Sequence, residues 1–148
     1  MNTSKAKGTR GENQVKDYLK EKTGLQFEKT PSSGATSVKG LKGDLFIMNH
    51  FNNFTIEVKF YEADELGSNV LTGKGTFKDW WAQTIREAKE NGNLPMLIYK
   101  WNRSVLFCAL STDFPAKSAN YIEISSLKCR IYLLSELDCK YLFGEKHV

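Results

Sequence analysis

Histidine and cysteine are scarce in this sequence. Its 148 residues include two histidines, His50 and His147, so catalysis by a histidine base has little material to draw on. The three cysteines, Cys108, Cys129 and Cys139, are odd in number and lack Cys-x-x-Cys spacing, which argues against a zinc site. We expect buried free thiols, since free cysteine behaves mostly as a small apolar side chain. Hydrolytic chemistry must then come from carboxylates, lysines and a metal ion.

Long apolar runs and low-complexity tracts are also missing. The basic stretch near the amino terminus is not followed by an apolar segment of signal-peptide or membrane-spanning length. We therefore expect no membrane association and a cytoplasmic location. A composition of 41% hydrophobic and 26% charged residues over 148 positions predicts one folded domain, residues 1–148. The formal net charge of +4 permits binding to a polyanion such as DNA without demanding it.

The spacing of apolar and turn residues predicts helices and strands in the order helix, strands, helix, strands. This order indicates an α/β domain with a mixed central β-sheet flanked by helices. Trp80 and Trp81 are expected in the core rather than as base-stacking platforms. The predicted helices cover residues 9–22 and 76–91, the predicted strands cover 25–29, 44–48, 54–61, 94–99 and 105–110, and weaker patterns suggest strands at 121–124 and 130–134 and a helical turn at 135–142.

A Glu-x-Lys triplet on a predicted strand is the first candidate for a catalytic site. A chain of this length contains roughly half of one such triplet by chance, so the spelling alone carries no information. The related triplets at 87–89 and 138–140 fall in segments expected to be helical, where side chains two residues apart point in different directions. Glu57 and Lys59 lie on the second arm of a predicted hairpin, where residues two apart share one face. That difference selects them.

The hairpin register brings a second acid to this face. The apolar alternation of the two arms places Leu45 opposite Ile56. The same register places Asp44 directly opposite Glu57. Two opposed carboxylates repel unless a cation lies between them, and oxygen ligands favour Mg²⁺ or Mn²⁺. The alternative is a solvated hairpin face on which Lys59 neutralises one of the acids.

A third acid, Glu12, lies on the first predicted helix. It precedes Val15 and Leu19 by one and two helical turns, so it falls on the stripe that faces the protein interior. An unpaired charge is unfavourable there, which makes Glu12 a candidate metal ligand. A capping box with Thr9 explains Glu12 as well, because a first-turn glutamate can accept a hydrogen bond from a free backbone amide.

Five motifs in order resemble those of the PD-(D/E)XK nuclease superfamily, and within it the archaeal type of Holliday junction resolvase. Residues 7–12 resemble an amino-terminal Lys-Gly-x-x-x-Glu motif whose glutamate assists metal binding. Ser32-Ser33-Gly34 resembles a loop that carries a catalytic serine. Gly43-Asp44 followed by Glu57-Val58-Lys59 resembles the core motif, and Gln83 is similar to a glutamine placed beside the site.

Two features depart from the family pattern. Gly43 stands where a proline usually precedes the aspartate. The motifs lie within residues 7–110, and the segment 111–148 resembles nothing in the family. We expect that segment to be a carboxy-terminal extension of the same domain.

The resemblance implies a restriction-endonuclease-like core and an endonuclease that hydrolyses DNA with Mg²⁺, or with Mn²⁺ as a substitute. It implies a homodimer acting on branched DNA, above all four-way (Holliday) junctions, since cutting two strands symmetrically requires two active sites. The catalytic residues that it implies are Glu12, Ser33, Asp44, Glu57, Lys59 and Gln83. The metal ligands that it implies are Glu12, Asp44, Glu57 and the carbonyl of Val58.

Basic and hydroxyl side chains near these motifs are candidates for contacts with DNA phosphates, which would make the affinity fall with salt. Many of the lysines are explained equally well as solvated surface residues. The expected DNA-binding residues are Lys5, Lys7, Arg10, Ser32, Lys39 and Lys42. Three alternatives stay open: another nuclease of the superfamily acting on flaps, nicked duplex or foreign DNA, a non-catalytic DNA-binding module, and a structural or protein-binding domain with coincidental acids.

Overall fold

The structure, a computed structural model, describes residues 3–31, 42–62, 72 and 75–148, with side chains from Gly8 onward. No helix in these ranges is long and apolar enough to cross a membrane. Single 3₁₀ turns lie at Ser125–Leu127 and Leu134–Glu136. The helices and strands of the described residues are α1 (Thr3–Thr23), β1 (Phe27–Lys29), β2 (Leu45–Ile47), β3 (Phe54–Tyr61), α2 (Thr76–Asn91), β4 (Leu94–Trp101), β5 (Phe107–Ser111), β6 (Tyr121–Ile124), β7 (Cys129–Leu133) and α3 (Cys139–Gly144).

The strands form one seven-stranded sheet in the order β1-β2-β3-β4-β5-β7-β6. β3 and β4 run parallel, and the other neighbouring strands pair antiparallel. A parallel pair needs a long crossover connection, and α2 lies in the crossover between β3 and β4. The predicted fold class, a mixed central sheet flanked by helices, is confirmed.

Both faces of the central strands are buried, each by a different helix. On β4, Ile98 packs in the apolar cluster that contains Leu19 of α1. Its neighbour Leu97 packs in a second cluster with Trp80 and Trp81 of α2. Side chains alternate along a strand, so α1 and α2 cover opposite faces of the sheet. Both tryptophans are buried, which confirms that they belong to the core.

The first helix starts earlier than the sequence predicted. α1 begins at Thr3 rather than at residue 9, because glycines at 8 and 11 lower helix propensity without ending the helix. Thr9 and Glu12 therefore lie in the helix interior, where backbone amides are bonded to the preceding turn. The capping-box interpretation of Glu12 is wrong.

The other element boundaries differ little from the predictions. β3, α2 and β6 have the predicted bounds, whereas β1 and β5 begin two residues later than predicted and β4 extends to Trp101. The helical turn expected at 135–142 is divided into the 3₁₀ turn Leu134–Glu136 and α3. All three cysteines are buried free thiols, as predicted.

The segment after residue 111 is joined to the rest of the fold. It contributes β6 and β7 to the sheet, and α3 packs in the cluster beneath α1. Asn53, just before β3, is 2% exposed and binds this segment. Its Nδ2 donates to the carbonyls of Leu142 (2.9 Å) and Glu145 (2.7 Å), and its Oδ1 accepts from the His147 amide (2.8 Å). That residues 1–148 form one domain stays a prediction.

Gly11 lets α1 pack closely on β3, and replacing it is expected to destabilise the fold. A Cβ atom at Gly11 would lie 2.8 Å from the ring of Phe60, whereas a Cβ at Gly8 would meet nothing within 4 Å. We predict that Gly11→Ala lowers the free energy of unfolding by about 1–3 kcal/mol through overpacking.

Gly8→Ala is the matched control on the same helix. It is expected to raise the free energy of unfolding by up to about 1 kcal/mol, because alanine favours helix over glycine. Urea unfolding of both variants measures the difference, and equal effects would contradict close packing at Gly11.

Candidate active site

The β2–β3 hairpin has the predicted register, with Leu45 paired to Ile56. Asp44 precedes β2 and is held against β3 by two hydrogen bonds. Its backbone amide donates to the Ile56 carbonyl (2.6 Å), and its Oδ2 accepts from the Val58 amide (2.7 Å). These bonds fix the Asp44 carboxylate beside Glu57, which lies between the two anchoring residues of β3.

Gly43 has a backbone conformation that explains why no proline precedes Asp44. Its φ is +88°, whereas the proline ring holds φ at about −65°. A Cβ atom at Gly43 would also lie 2.9 Å from the carbonyl oxygen of Ile56. Glycine therefore allows the chain to turn into β2 and bring Asp44 close to β3.

Glu57 and Lys59 point to the face of β3 that α2 covers. Ile56 and Val58 belong to the cluster beneath α1, and alternate residues of a strand face opposite ways. Glu57 is 3% exposed, while Lys59 is only partly buried. The strand thus places a deeply buried acid and a more accessible lysine on one face.

The electrostatics of the two acids are unusual. Burial raises the pKa of Glu57 to about 10, and the neighbouring acids Asp44 and Glu87 add to the rise. Burial also raises the pKa of Asp44, against the opposing hydrogen bonds from the Val58 amide and from Glu57. The Lys59 ammonium lowers the pKa of both groups, yet neither acid forms an ion pair with a described residue. A further positive charge would stabilise both carboxylates.

Glu12 approaches the pair from α1. Val15 and Leu19, on the same helical stripe, are fully buried, and Glu12 is partly buried. Burial raises the pKa of Glu12, and Asp44 raises it further, so the two acids lie near each other. The helix therefore directs Glu12 toward the hairpin, as its position on the inward stripe predicts.

α2 is fastened to the hairpin by Asn91. Its Nδ2 donates to Thr55 Oγ1 (2.8 Å) on the same face of β3 as Glu57. The Asn91 Oδ1 accepts from the backbone amide of Lys42 (3.2 Å), just upstream of Asp44, and the Asn91 Nδ2 donates to the Lys42 carbonyl (3.3 Å). One side chain thus ties α2 to both segments that carry the acids.

Glu87 is a residue of this site that the sequence analysis missed. One helical turn before Asn91, it shares a hydrogen bond with Glu57 and raises the pKa of both Glu57 and Asp44. The triplet at 87–89 was set aside because its charged residues diverge on a helix. They do diverge, since Glu87 faces the sheet while Lys89 is exposed. The four-residue step from Gln83 to Glu87, which puts both on one helix face, was the signal that could have found it.

The other described residues of the prediction lie around this cluster. Gln83 is partly buried on α2, and Arg10 is exposed on α1. Lys42 forms an ion pair of 3.7 Å with Glu90 of α2, with both side chains more than 40% exposed. Among the described residues, none of these three forms a hydrogen bond or an ion pair with the acids of the site, which are Glu12, Asp44, Glu57 and Glu87.

Some predicted residues cannot be placed at the site. The backbones of Lys5 and Lys7 belong to α1, but their side chains lie outside the described part of the chain. Three further predicted residues lie outside the described residues altogether. They are Ser32, Ser33 and Lys39.

The donor atoms of Asp44 and Glu57 suit a hard divalent cation. Among the described residues, no three histidine, cysteine, aspartate or glutamate side chains are gathered closely enough to hold an ion by themselves. Mg²⁺ tolerates such a site, because it keeps several waters and commonly binds through one or two carboxylates. The Glu57 carboxyl, buried without an ion pair to the described chain, is the feature that fits a cation.

Without divalent cations, stability is expected to depend on pH. The pKa of Glu57 rises from 4.5 to about 10 on folding, so its contribution is complete below pH 4.5 and is lost as pH rises toward 10. In EDTA, we predict that the free energy of unfolding falls across this window by at most about 1.4 kcal/mol per pH unit.

Glu57→Gln is expected to remove most of this fall, and Glu21→Gln, at an exposed position of α1, to leave it unchanged. Denaturant unfolding at several pH values measures the profile. A flat profile for the unsubstituted protein would contradict a buried Glu57 carboxyl.

Comparison with known proteins bears on the family. Residues 3–134 match the family described as "Phage putative PDDEXK endonuclease". Protein D14 of Escherichia phage T5 is 40% identical over 117 residues, which cover 76% of this chain and 73% of that protein. A solved structure of Hjc, a Holliday junction resolvase of Archaeoglobus fulgidus, is similar with 20% identity and a TM-score of 0.44, covering 86% of this chain and 89% of that one. That last similarity is too weak to carry an argument.

The family match spans most of the chain and includes all the acids of the site. It agrees with the superfamily that the sequence motifs resemble. This chain belongs to the phage PDDEXK endonuclease family, within the PD-(D/E)XK nucleases.

Proposed function

We propose that this protein is a DNA endonuclease that requires Mg²⁺, with Mn²⁺ as a substitute. One observation carries the proposal: Glu57 is 3% exposed and hydrogen bonded to Asp44, and neither acid has an ion pair to a described residue. Ionising a buried acid beside a second, partly buried acid costs free energy unless a cation joins them. Membership of a nuclease family supplies the reaction, hydrolysis of a phosphodiester bond.

The proposed ligands are the carboxylates of Asp44 and Glu57 and the carbonyl of Val58, with Glu12 completing the set. The Val58 amide already orients Asp44 from the strand, so the carboxylate is held before an ion arrives. Glu12 reaches Asp44 from α1. The bound ion would activate a water molecule and stabilise charge on the scissile phosphate.

Lys59 and Gln83 are proposed to act on the water and the phosphate. Lys59 shares the face of Glu57 and is more exposed, so its ammonium can reach the phosphate or orient the water. Two residues along a strand span about 6.6 Å, and four residues along a helix span about 6 Å. Contacts between α2 and β3 can therefore recur at every fourth helix residue and every second strand residue. Because Asn91 contacts Thr55, two such steps bring Gln83 beside Lys59 in this proposal.

DNA is proposed to bind along the basic residues that flank the site. Arg10 is exposed, and the ion pair of Lys42 with Glu90 is too exposed to prevent a contact with phosphate. Lys5, Lys7 and Lys39 extend the same proposal. Ser33, or Ser32 if the loop is shifted by one residue, is proposed to contact the phosphate near the cut.

The proposed substrate is branched DNA, with the four-way junction first. The support is the resemblance of residues 7–12 and 32–34 to motifs of archaeal junction resolvases. Symmetric cutting of a junction requires two active sites, so a homodimer with a two-fold axis is part of the proposal. Flaps and nicked duplex are the competing substrates.

Cleavage of matched four-way junction, flap and linear duplex substrates, with Mg²⁺ or with EDTA, tests both levels of the proposal. We expect cutting only with the metal ion and fastest cutting of the junction. Equal cutting of the three substrates would remove the junction assignment but leave the nuclease. Absence of cutting of any substrate with Mg²⁺ or Mn²⁺ would overturn the whole proposal.

Asp44→Asn is expected to reduce cleavage more than about 100-fold, since even outer-shell partners of metal sites cost about 10- to 100-fold. Asp113→Asn, the same change at an exposed aspartate that follows β5 and is not among the proposed site residues, is expected to cut as the unsubstituted protein does. An unchanged product pattern from Asp44→Asn would favour a DNA-binding module instead.

A further inference from the structure

Glu87 stands out as an acid that the proposed metal set does not use. It lies on the face of α2 that covers β3, one turn before Asn91, and shares a hydrogen bond with Glu57. The hydrogen bond of Asn91 to Thr55 and the hydrogen bond of Glu87 to Glu57 are successive contacts between α2 and β3. The position of Glu87 is therefore set by the same packing that holds α2 on the sheet.

One carboxyl oxygen of the partly buried Glu87 has no hydrogen-bond partner among the described residues. Its Oε2 is buried and forms no hydrogen bond within the described part of the chain. Buried polar atoms are nearly always satisfied, so an exception calls for a water, an ion or a functional reason. The same Glu87 side chain is hydrogen bonded to Glu57, which is 3% exposed and also lacks an ion pair to a described residue.

Glu87 is not needed to anchor α2. Phe77, Trp80 and Trp81 bury the first half of the helix in the core, and Asn91 fastens its end. A neutral side chain at position 87 would avoid the repulsion with Glu57 and Asp44. Packing of α2 therefore does not explain the acid at position 87, and its contact with Glu57 points to a role at the site.

We propose that Glu87 is a charge-supplying and positioning residue of the cation site: it orients Glu57 and adds a third negative charge that tightens divalent-cation binding at Asp44 and Glu57. This inference rests on the proposed metal-dependent nuclease function. It adds a second residue of α2 to the proposed site, one helical turn after Gln83. Glu87 acts through Glu57 rather than on the DNA.

Calorimetric titration of the DNA-free protein with Mn²⁺ tests the inference. Glu87→Gln keeps the size of the side chain and removes its charge, while Glu21→Gln makes the same change at an exposed position. We expect the Mn²⁺ dissociation constant to rise about tenfold or more in Glu87→Gln, the range typical of outer-shell partners. The control is expected to bind as the unsubstituted protein does, and equal binding by Glu87→Gln overturns the inference.

The Mg²⁺ dependence of DNA cleavage supplies a readout that a purely structural role would not move. The Mg²⁺ concentration for half-maximal cleavage by Glu87→Gln is expected to rise by a similar factor, with most of the rate recovered at saturating Mg²⁺. A lower maximal rate at an unchanged half-maximal concentration would count against the inference.

Glu87→Asp and Glu87→Asn form a second matched pair that differs in charge alone. The charged variant is expected to bind Mn²⁺ more tightly, and equal affinities would overturn the inference even if Glu87→Gln did not fold. Failure of the proposed function looks different. In that case the unsubstituted protein itself would bind no Mn²⁺ and cut no DNA.

Discussion

The contact between the carboxyls of Glu57 and Asp44 depends on one constraint: β3 is buried on both faces, and one of its buried residues is an acid. β3 can hold Glu57 away from water only because α2 covers that face. Asp44 then has to be fixed independently, since like charges would otherwise push it away. The Val58 amide does this, and the turn at Gly43 gives the chain the direction that the bond needs.

The same constraint explains how the fold divides its labour between the two faces of the sheet. On the α1 face, Ile56 and Val58 join a continuous apolar cluster that supplies stability. On the α2 face, the apolar contacts are concentrated around Trp80 and Trp81 in the first half of the helix. The hydrogen bonds made by Glu87 and Asn91 lie in its second half. The acids thus share the α2 face of the sheet with large aromatic contacts that stabilise the packing of the helix.

Local patterns predicted the hairpin and α2 well, because their information lies within short stretches of sequence. Alternation of apolar residues set the Leu45 to Ile56 pairing, and helical spacing with flanking glycines set the bounds of α2. The predicted start of α1 was wrong because Thr9 resembles a cap, whereas the helix begins at Thr3 and packs through Gly11 on Phe60. That packing is a contact between distant segments, which periodicity does not contain.

The site was predictable only in part for the same reason. Asp44, Glu57 and Glu12 were found from register and helix stripe, each a local property. Glu87 enters through the packing of a helix on a strand, and its register depends on Asn91 reaching Thr55. On a helix, the lysine of a Glu-x-Lys triplet can point to solvent while the glutamate faces a site, so the triplet by itself does not predict the position of the glutamate.

Asn53 links the segment near residues 142–147 to the strand that carries Glu57, although that segment does not contact the acids through any described hydrogen bond or ion pair. The side-chain amide of Asn53 lies just before β3 and forms hydrogen bonds with three main-chain groups of that segment. Loss of those groups would strand a buried amide at the foot of the strand that carries Glu57, four positions further on. The carboxy-terminal segment thus supports the β2–β3 hairpin, and peptide fused or removed there would weaken the hold of β3 on Glu57 beside Asp44.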